Sequence, residues 1–451
     1  MNAPAIPPVT ATLVERALAL TRADLPADVV TLARQCWRDV LAVTIAGHDD
    51  ELCRLILADQ ESQGGPREAT VIGGGQRLSV RQAAFLNGIA AHALDFDDVN
   101  LFINGHPSAV LAPAVLAVAE RVDASGTDTF MAFLAAYEFI CRAGEMVEPG
   151  HYARGYHATA SVGILGAAVG AARLLGLDAM TTRHAVGIAA TQAAGLKSMF
   201  GTPCKPLHAG LAARNGVEAA LWARQGLTSR TDVLECAQGF ARTLSPDYLP
   251  ERALASPERF FIHENLFKYH AACYGTHSAI ECALQLRERH GLRPGEIGSL
   301  VIRVEKIADS TCNIADPRTA AEAKFSLRFA TALALLGEDT GALDNYAERT
   351  IALPELQRLR ASTTVELMSG WSTMETEIEA RCHDGRVCTV KVDTGIPETD
   401  IARQGRRLAA KFDTLLVPRL GAARTRALAS AIDEFDLIPA RDLIALCTVG
   451  N

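Results

Sequence analysis

No Cys-x-x-Cys pair occurs among the eleven cysteines of this 451-residue chain, and their number is odd. That pattern fits reduced thiols in a cytoplasm better than a disulfide framework or a structural zinc. No basic stripe accompanies the net charge of −8, which argues against a nucleic-acid partner. If the ligand is anionic, single lysines or arginines must attract it. No apolar, uncharged window reaches the roughly 18 residues a membrane span needs. The first residues, Met1-Asn-Ala-Pro-Ala-Ile-Pro-Pro, have neither a basic start nor an apolar stretch, so export is not expected. No Walker loop or His-Glu-x-x-His is present, and Gly73-Gly-Gly lacks the strand–helix setting of a dinucleotide site. The chain therefore points to no organic cofactor, no metal and no membrane.

What remains is apolar and helical. Hydrophobic residues make up 49% and charged residues 21%, enough for a large core and for two domains. Helical periodicity covers 11–22, 26–46, 50–62, 80–94, 107–122, 127–147, 158–175, 181–194 and 207–225. Several of these segments, 158–175 above all, carry alanine and glycine on every side, as central helices do when neighbours approach closely. After Asp247 the texture changes. A helix is expected at 275–290, a strand at 298–305, a helix at 320–336 and another strand at 365–368. A hairpin follows over 376–392, with Asp384-Gly385 at its turn. Helices return at 407–415 and 422–434. The fold class is mainly α: a large all-helical domain, residues 1–261 completed by 403–451, with a smaller α+β lid domain inserted at 262–402.

The chemistry concentrates where two apolar helices meet. Between the segments 80–94 and 107–122 lies Asp95-Phe-Asp97-Asp98-Val99-Asn-Leu-Phe-Ile-Asn-Gly105-His106-Pro-Ser108. Carboxylates and an imidazole in such a place are costly unless paired or used. A carboxylate–imidazole pair is a common way to fix a catalytic histidine. Taken singly, the same aspartates read equally well as helix caps. His157 opens a small-residue helix, where the free N–H groups suit an anion and a neutral imidazole. Lys205 directly precedes Pro206 and is expected in extended backbone leading into a helix, within reach of a carboxylate. Lys268 lies near the domain junction, where it could close over a ligand or simply decorate a packed helix. Cys204 has no local base to activate it.

These motifs together resemble the MmgE/PrpD family, which includes 2-methylcitrate dehydratase, cis-aconitate decarboxylase and iminodisuccinate epimerase. The resemblance runs in order from Asp95-Phe-Asp-Asp through Gly105-His-Pro-Ser, Gly155-Tyr-His157 and Lys205-Pro-Leu-His208 to Ala323-Lys-Phe-Ser326. It implies a helical domain with a lid, a homodimer, a di- or tricarboxylate substrate and no cofactor. It also implies active-site roles for Asp95, His106, His157, Lys205 and Lys268. Two positions depart from the decarboxylases, which resemble one another in a threonine where this chain has Val99 and a tyrosine where it has Phe329. Each change removes a hydroxyl. The reading is then a 2-methylcitrate dehydratase-like lyase, with an epimerase and a cis-aconitate decarboxylase as alternatives. His157 and His106 form the acid/base pair, Asp95 orients one of them, and Lys205 and Lys268 neutralise developing enolate charge. Asp97 and Asp98 take supporting roles. Two rival readings are a metal-dependent hydrolase using Asp97, Asp98 and the histidines, and a non-catalytic polycarboxylate binder.

Overall fold

The computed structural model describes residues 7–449. They divide into two compact units, one running to Phe267 and resuming at Asp400, the other spanning Lys268–Thr399. The fold is mainly α, and no helix among the described residues is long and apolar enough to cross a membrane.

The first unit is built on four helices that pack on one another: Val80–Ala93, Pro107–Val122, Gly163–Leu174 and Cys204–Arg224. Small residues let them approach closely. A Cβ added at Gly88 would stand 2.8 Å from the Cα of Gly210, and one at Gly210 would stand 2.5 Å from the carbonyl oxygen of Phe85. A Cβ at Gly216 would stand 2.8 Å from both the amide nitrogen of Ala168 and the carbonyl oxygen of Ile164. Such backbone-to-backbone crossings hold the ends of these helices in fixed relation. Ala27–Gly47 and Gly126–Val147 complete the core, where Trp37 lies against Phe133 and Phe435 at centroid distances of 4.8 and 5.0 Å. The late helix Ile401–Leu420 packs on Ala27–Gly47. Its buried Lys411 reaches Asp39 at 2.5 Å and the carbonyl oxygen of Phe96 at 2.6 Å, which pins the acidic loop from behind.

The second unit holds a four-stranded sheet in the order Thr363–Met368, Ile297–Glu305, Glu375–Cys382, Val387–Asp393. The first pair is parallel and the other two are antiparallel. Helix His277–His290 packs on the last two strands and on helix Leu327–Leu336. The expected hairpin is present, and Gly385 at its turn has φ 88°.

Three expected elements differ. The segment 158–175 is two helices, Ala158–Ser161 and Gly163–Leu174. Ser161 Oγ donates back to the carbonyl of His157 at 3.3 Å and also meets His151, a side-chain competition that bends helices. The segment 320–336 is likewise split into Ala320–Ala323 and Leu327–Leu336, because Ser326 takes up an extended conformation and caps the second helix through the N–H of Phe329. Lys205 is not extended. It lies in the first turn of Cys204–Arg224, where the ring of Pro206 replaces an N–H that had no helical partner.

Candidate active site

The helix Val80–Ala93 ends at Leu94, and Asp95 follows with φ 51°, a left-handed conformation that aspartate tolerates better than most residues. Beyond that turn Asp95, Asp97 and Asp98 meet different partners, Lys205, His92 and Ser108. Val99–Asn100 then pairs with Asn265–Leu266. Asn100 fastens this ribbon by donating to the hydroxyl of Tyr137 at 3.0 Å and to the carbonyl of Phe261 at 3.2 Å. Gly105 passes so close to the next wall that a Cβ there would stand 2.8 Å from the amide nitrogen of Thr159. The amide of His106 donates to Thr159 Oγ1 at 3.1 Å, so the loop bearing His106 is tied to the helix start bearing His157.

Within this frame four of the five residues singled out in the sequence come together. Lys205 Nζ lies 2.5 Å from Asp95 Oδ1, and both side chains are nearly buried. His106 Nε2 stands 3.9 Å from the same oxygen. The Nδ1 of His106 donates to the carbonyl of Asp98 at 2.9 Å, which leaves Nε2 as the nitrogen facing Asp95. His157 is buried, and its Nδ1 is 3.2 Å from the Nδ1 of His208. Burial first, then the cationic side of its neighbours His92 and Lys205, holds its imidazole well below the ordinary value, so it is neutral. The cause is burial more than the helix start invoked from the sequence. Lys268, the fifth, opens the second unit. It is buried, and after burial and His270 its charge helps hold His277 well below the usual histidine range.

The three aspartates have different partners. Asp95 pairs with Lys205 and also faces Nε2 of His106, 3.9 Å away. Asp98 does serve the helix, accepting from the hydroxyl and amide of Ser108 at 2.6 and 3.2 Å, and burial raises its carboxyl to about 7. Asp97 is no bystander. Its two oxygens lie 3.0 and 2.9 Å from Nδ1 of His92, and Oδ2 is 3.2 Å from Nδ1 of His106. Burial alone would raise Asp97, but the two imidazoles outweigh it and hold the carboxyl well below its usual range.

His92 went unnoticed in the sequence. Its ring is buried, 4.6 Å from that of His106 and stacked at 5.6 Å on that of His157. A signal existed: Phe85, Ile89 and His92 fall at i, i+4 and i+7 on one face of an apolar helix, so a histidine had been placed on the core side. Donor atoms of His92, Asp95, Asp97 and His106 lie within 4.8 Å of one another, a spacing on which a cation could be held. The cation the chain itself supplies there is the ammonium of Lys205.

This constellation sits in a chain whose residues 11–253 match the MmgE/PrpD N-terminal domain and whose residues 270–437 match the MmgE/PrpD C-terminal domain. The chain belongs to the MmgE/PrpD family. Among curated relatives of this family member, cis-aconitate decarboxylase of Homo sapiens is 30% identical over 336 residues, 70% of this chain and 69% of the relative. A cis-aconitate decarboxylase-like protein of Aspergillus oryzae is 31% identical over 62% of each chain. Cis-aconitate decarboxylase of Mus musculus is 26% identical over 81% of this chain and 78% of its own length. An MmgE/PrpD enzyme is therefore what the chain resembles over most of its length.

Proposed function

We propose that this protein is a cofactor-independent lyase of a small di- or tricarboxylate, of the 2-methylcitrate dehydratase type, working by proton transfer at the carbon α to a carboxylate. The observation that carries the reading is a buried imidazole cluster set beside a single ammonium. Removing a proton α to a carboxylate is difficult because charge accumulates on the carboxylate oxygens. A cation fixed in a low-dielectric setting lowers that cost more than one in water. Lys205 supplies this charge on the first unit, and Lys268 is assigned the same task by the family resemblance. His157, kept neutral by burial, is in the form that accepts a proton, and His157 and His106 exchange protons with the substrate. The family resemblance supports a homodimer as the acting form.

A second reading, decarboxylation of cis-aconitate, draws support from the names of the relatives. Against it stand the two positions without a hydroxyl. Val99 is buried in the short strand paired with Leu266, and Phe329 is buried in its helix beside Tyr346, at a centroid distance of 5.8 Å. Neither can donate a proton or a hydrogen bond.

One experiment separates the readings. The purified protein is offered 2-methylcitrate, citrate, cis-aconitate and iminodisuccinate in deuterated water and followed by NMR. A new double bond with loss of the hydroxyl supports dehydration. Loss of carbon dioxide from cis-aconitate selects the second reading, and α-proton exchange without bond cleavage selects an epimerase. Binding of citrate-like ligands without any turnover removes the enzymatic reading altogether.

A further inference from the structure

His92 has one nitrogen accounted for and one that is not. Its Nδ1 faces both oxygens of Asp97, at 3.0 and 2.9 Å. An ionised carboxylate only accepts, so Nδ1 carries the hydrogen and Nε2 carries a bare lone pair. Nε2 lies on the far edge of the ring from Asp97, is buried, and has no hydrogen-bond partner among the described residues. A desolvated acceptor without a donor is destabilising, and native folds keep such groups mainly where they are used. The ring lies 4.6 Å from that of His106 and 5.6 Å from that of His157. His157 has an unpartnered Nε2 as well, but its Nδ1 meets another Nδ1, that of His208, so either ring can be the donor and its tautomer is open. Of the two bare nitrogens only that of His92 is fixed as a base, and only His92 has an anion behind it.

We propose that the Asp97–His92 pair supplies the base of the reaction, with Nε2 of His92 touching the substrate and taking its α-proton. This rests on the lyase reading above and deepens it. In the dehydration, Nε2 takes the hydrogen of the carbon α to a carboxylate as a proton. The C–H electron pair becomes the carbon–carbon double bond as the carbon–oxygen bond breaks. The departing hydroxide takes a proton from the His106–His157 side and leaves as water; His92 then gives its proton to solvent and the donor regains one from it, which restores the enzyme. Asp97 stabilises the imidazolium that exists between these events, and it holds the ring so that Nε2 alone is presented.

The test uses His92→Asn in the full-length chain. The asparagine amide can still donate to Asp97 from the place of Nδ1, but nothing replaces Nε2. Where the wild type turns over one of the carboxylates, kcat is expected to fall by at least about 100-fold while KM moves far less and the melting temperature is kept. Asp97→Asn, whose amide donates toward Nδ1 and so favours the opposite tautomer, is expected to lower kcat comparably. A His92→Asn enzyme within about threefold of wild-type kcat overturns the proposal. A parallel measurement needs no turnover: nitrogen NMR of histidine-labelled wild type, assigned with single histidine variants, His92→Gln serving if His92→Asn does not fold. An unprotonated Nε2 signal of His92 that moves on addition of citrate supports contact with the ligand, and an unmoved or protonated signal overturns it. If no carboxylate is turned over, the lyase reading fails by itself, and the citrate-dependent signal still decides whether His92 faces a ligand.

Discussion

Asp95 and Lys205 form a buried ion pair, and such a pair is costly to break from one side. Removing one partner leaves the other charge desolvated, a loss of about 3 kcal/mol in comparable settings. Lys205→Met is therefore expected to lower the unfolding free energy by about that amount in urea titrations and to abolish turnover. Adding Asp95→Asn to it is expected to recover part of the stability but none of the activity. Full recovery of activity in the double variant would show that the pair is structural only. At this scale the sequence made Asp95, His106, His157 and Lys205 visible because each interrupts an apolar or small-residue setting. It gave Asp97 a supporting role without naming its partners, because an aspartate after a helix reads as a cap until those are known. It passed over His92, which sits inside a helix at core spacing and looks like one more buried residue.

The helix crossing at Gly88 and Gly210 connects elements to chemistry. One helix ends at His92 and Asp95, the other begins at Lys205, and the distance between them is set where their backbones touch. Gly210→Ala has no room on the Phe85 carbonyl, at 2.5 Å. It is expected to destabilise by about 1–3 kcal/mol, read from the denaturant midpoint, and to reduce kcat by parting Lys205 from Asp95. Ala212→Gly on the same helix serves as a control, because it opens no backbone clash and costs about 1 kcal/mol by propensity alone. Equal kcat in the two variants would sever the link between crossing and site. The helices themselves were legible from periodicity, and the small-residue texture announced close packing. Their ends were less so. The breaks at Val162 and at Lys324–Ser326 come from serine side chains that bond the backbone, a local competition that periodicity does not register.

For the whole molecule the buried titratable groups predict an unusual pH response. His92 and His151 are pushed down to about 4, chiefly by burial. Each binds fewer protons folded than unfolded, so its contribution is full above the ordinary histidine value and is lost as pH falls toward 4, at up to about 1.4 kcal/mol per pH unit. Asp98, Glu138 and Glu148 are raised to about 7, again by burial. They keep protons that the unfolded chain has released, so their contribution is lost as pH rises from the carboxylate range to 7. His157 and His277 are held down by burial as well, so these four imidazoles oppose the three carboxyls between about pH 4.5 and 6.5, and the melting temperature is expected to rise gently with pH there. A fall in melting temperature across that window would refute the balance. A second whole-molecule expectation concerns metal: turnover is expected to survive exhaustive chelation, because the charge at the site comes from Lys205. Stoichiometric metal required for activity would replace the lyase reading with the hydrolase one.

The family domains and the compact units do not end together, since the C-terminal match runs to residue 437 whereas the second unit ends at Thr399. The helices after Thr399 fold back on the first unit, and Lys411 among them grips the acidic loop at Phe96. Such a contact joins residues more than 300 positions apart, and no local pattern encodes it. What the sequence by itself determined is the helical class, the strand content of the middle segment, the family and the neighbourhood of the site. These depend on periodicity, turn residues and short motifs, all of which are local in the chain. Only the tertiary structure decided which acid faces which base. Hydrogen bonding and burial act over a few ångströms in space, so the pairing of Asp97 with His92, and of Asp95 with Lys205, had to wait for the fold that brings those atoms together.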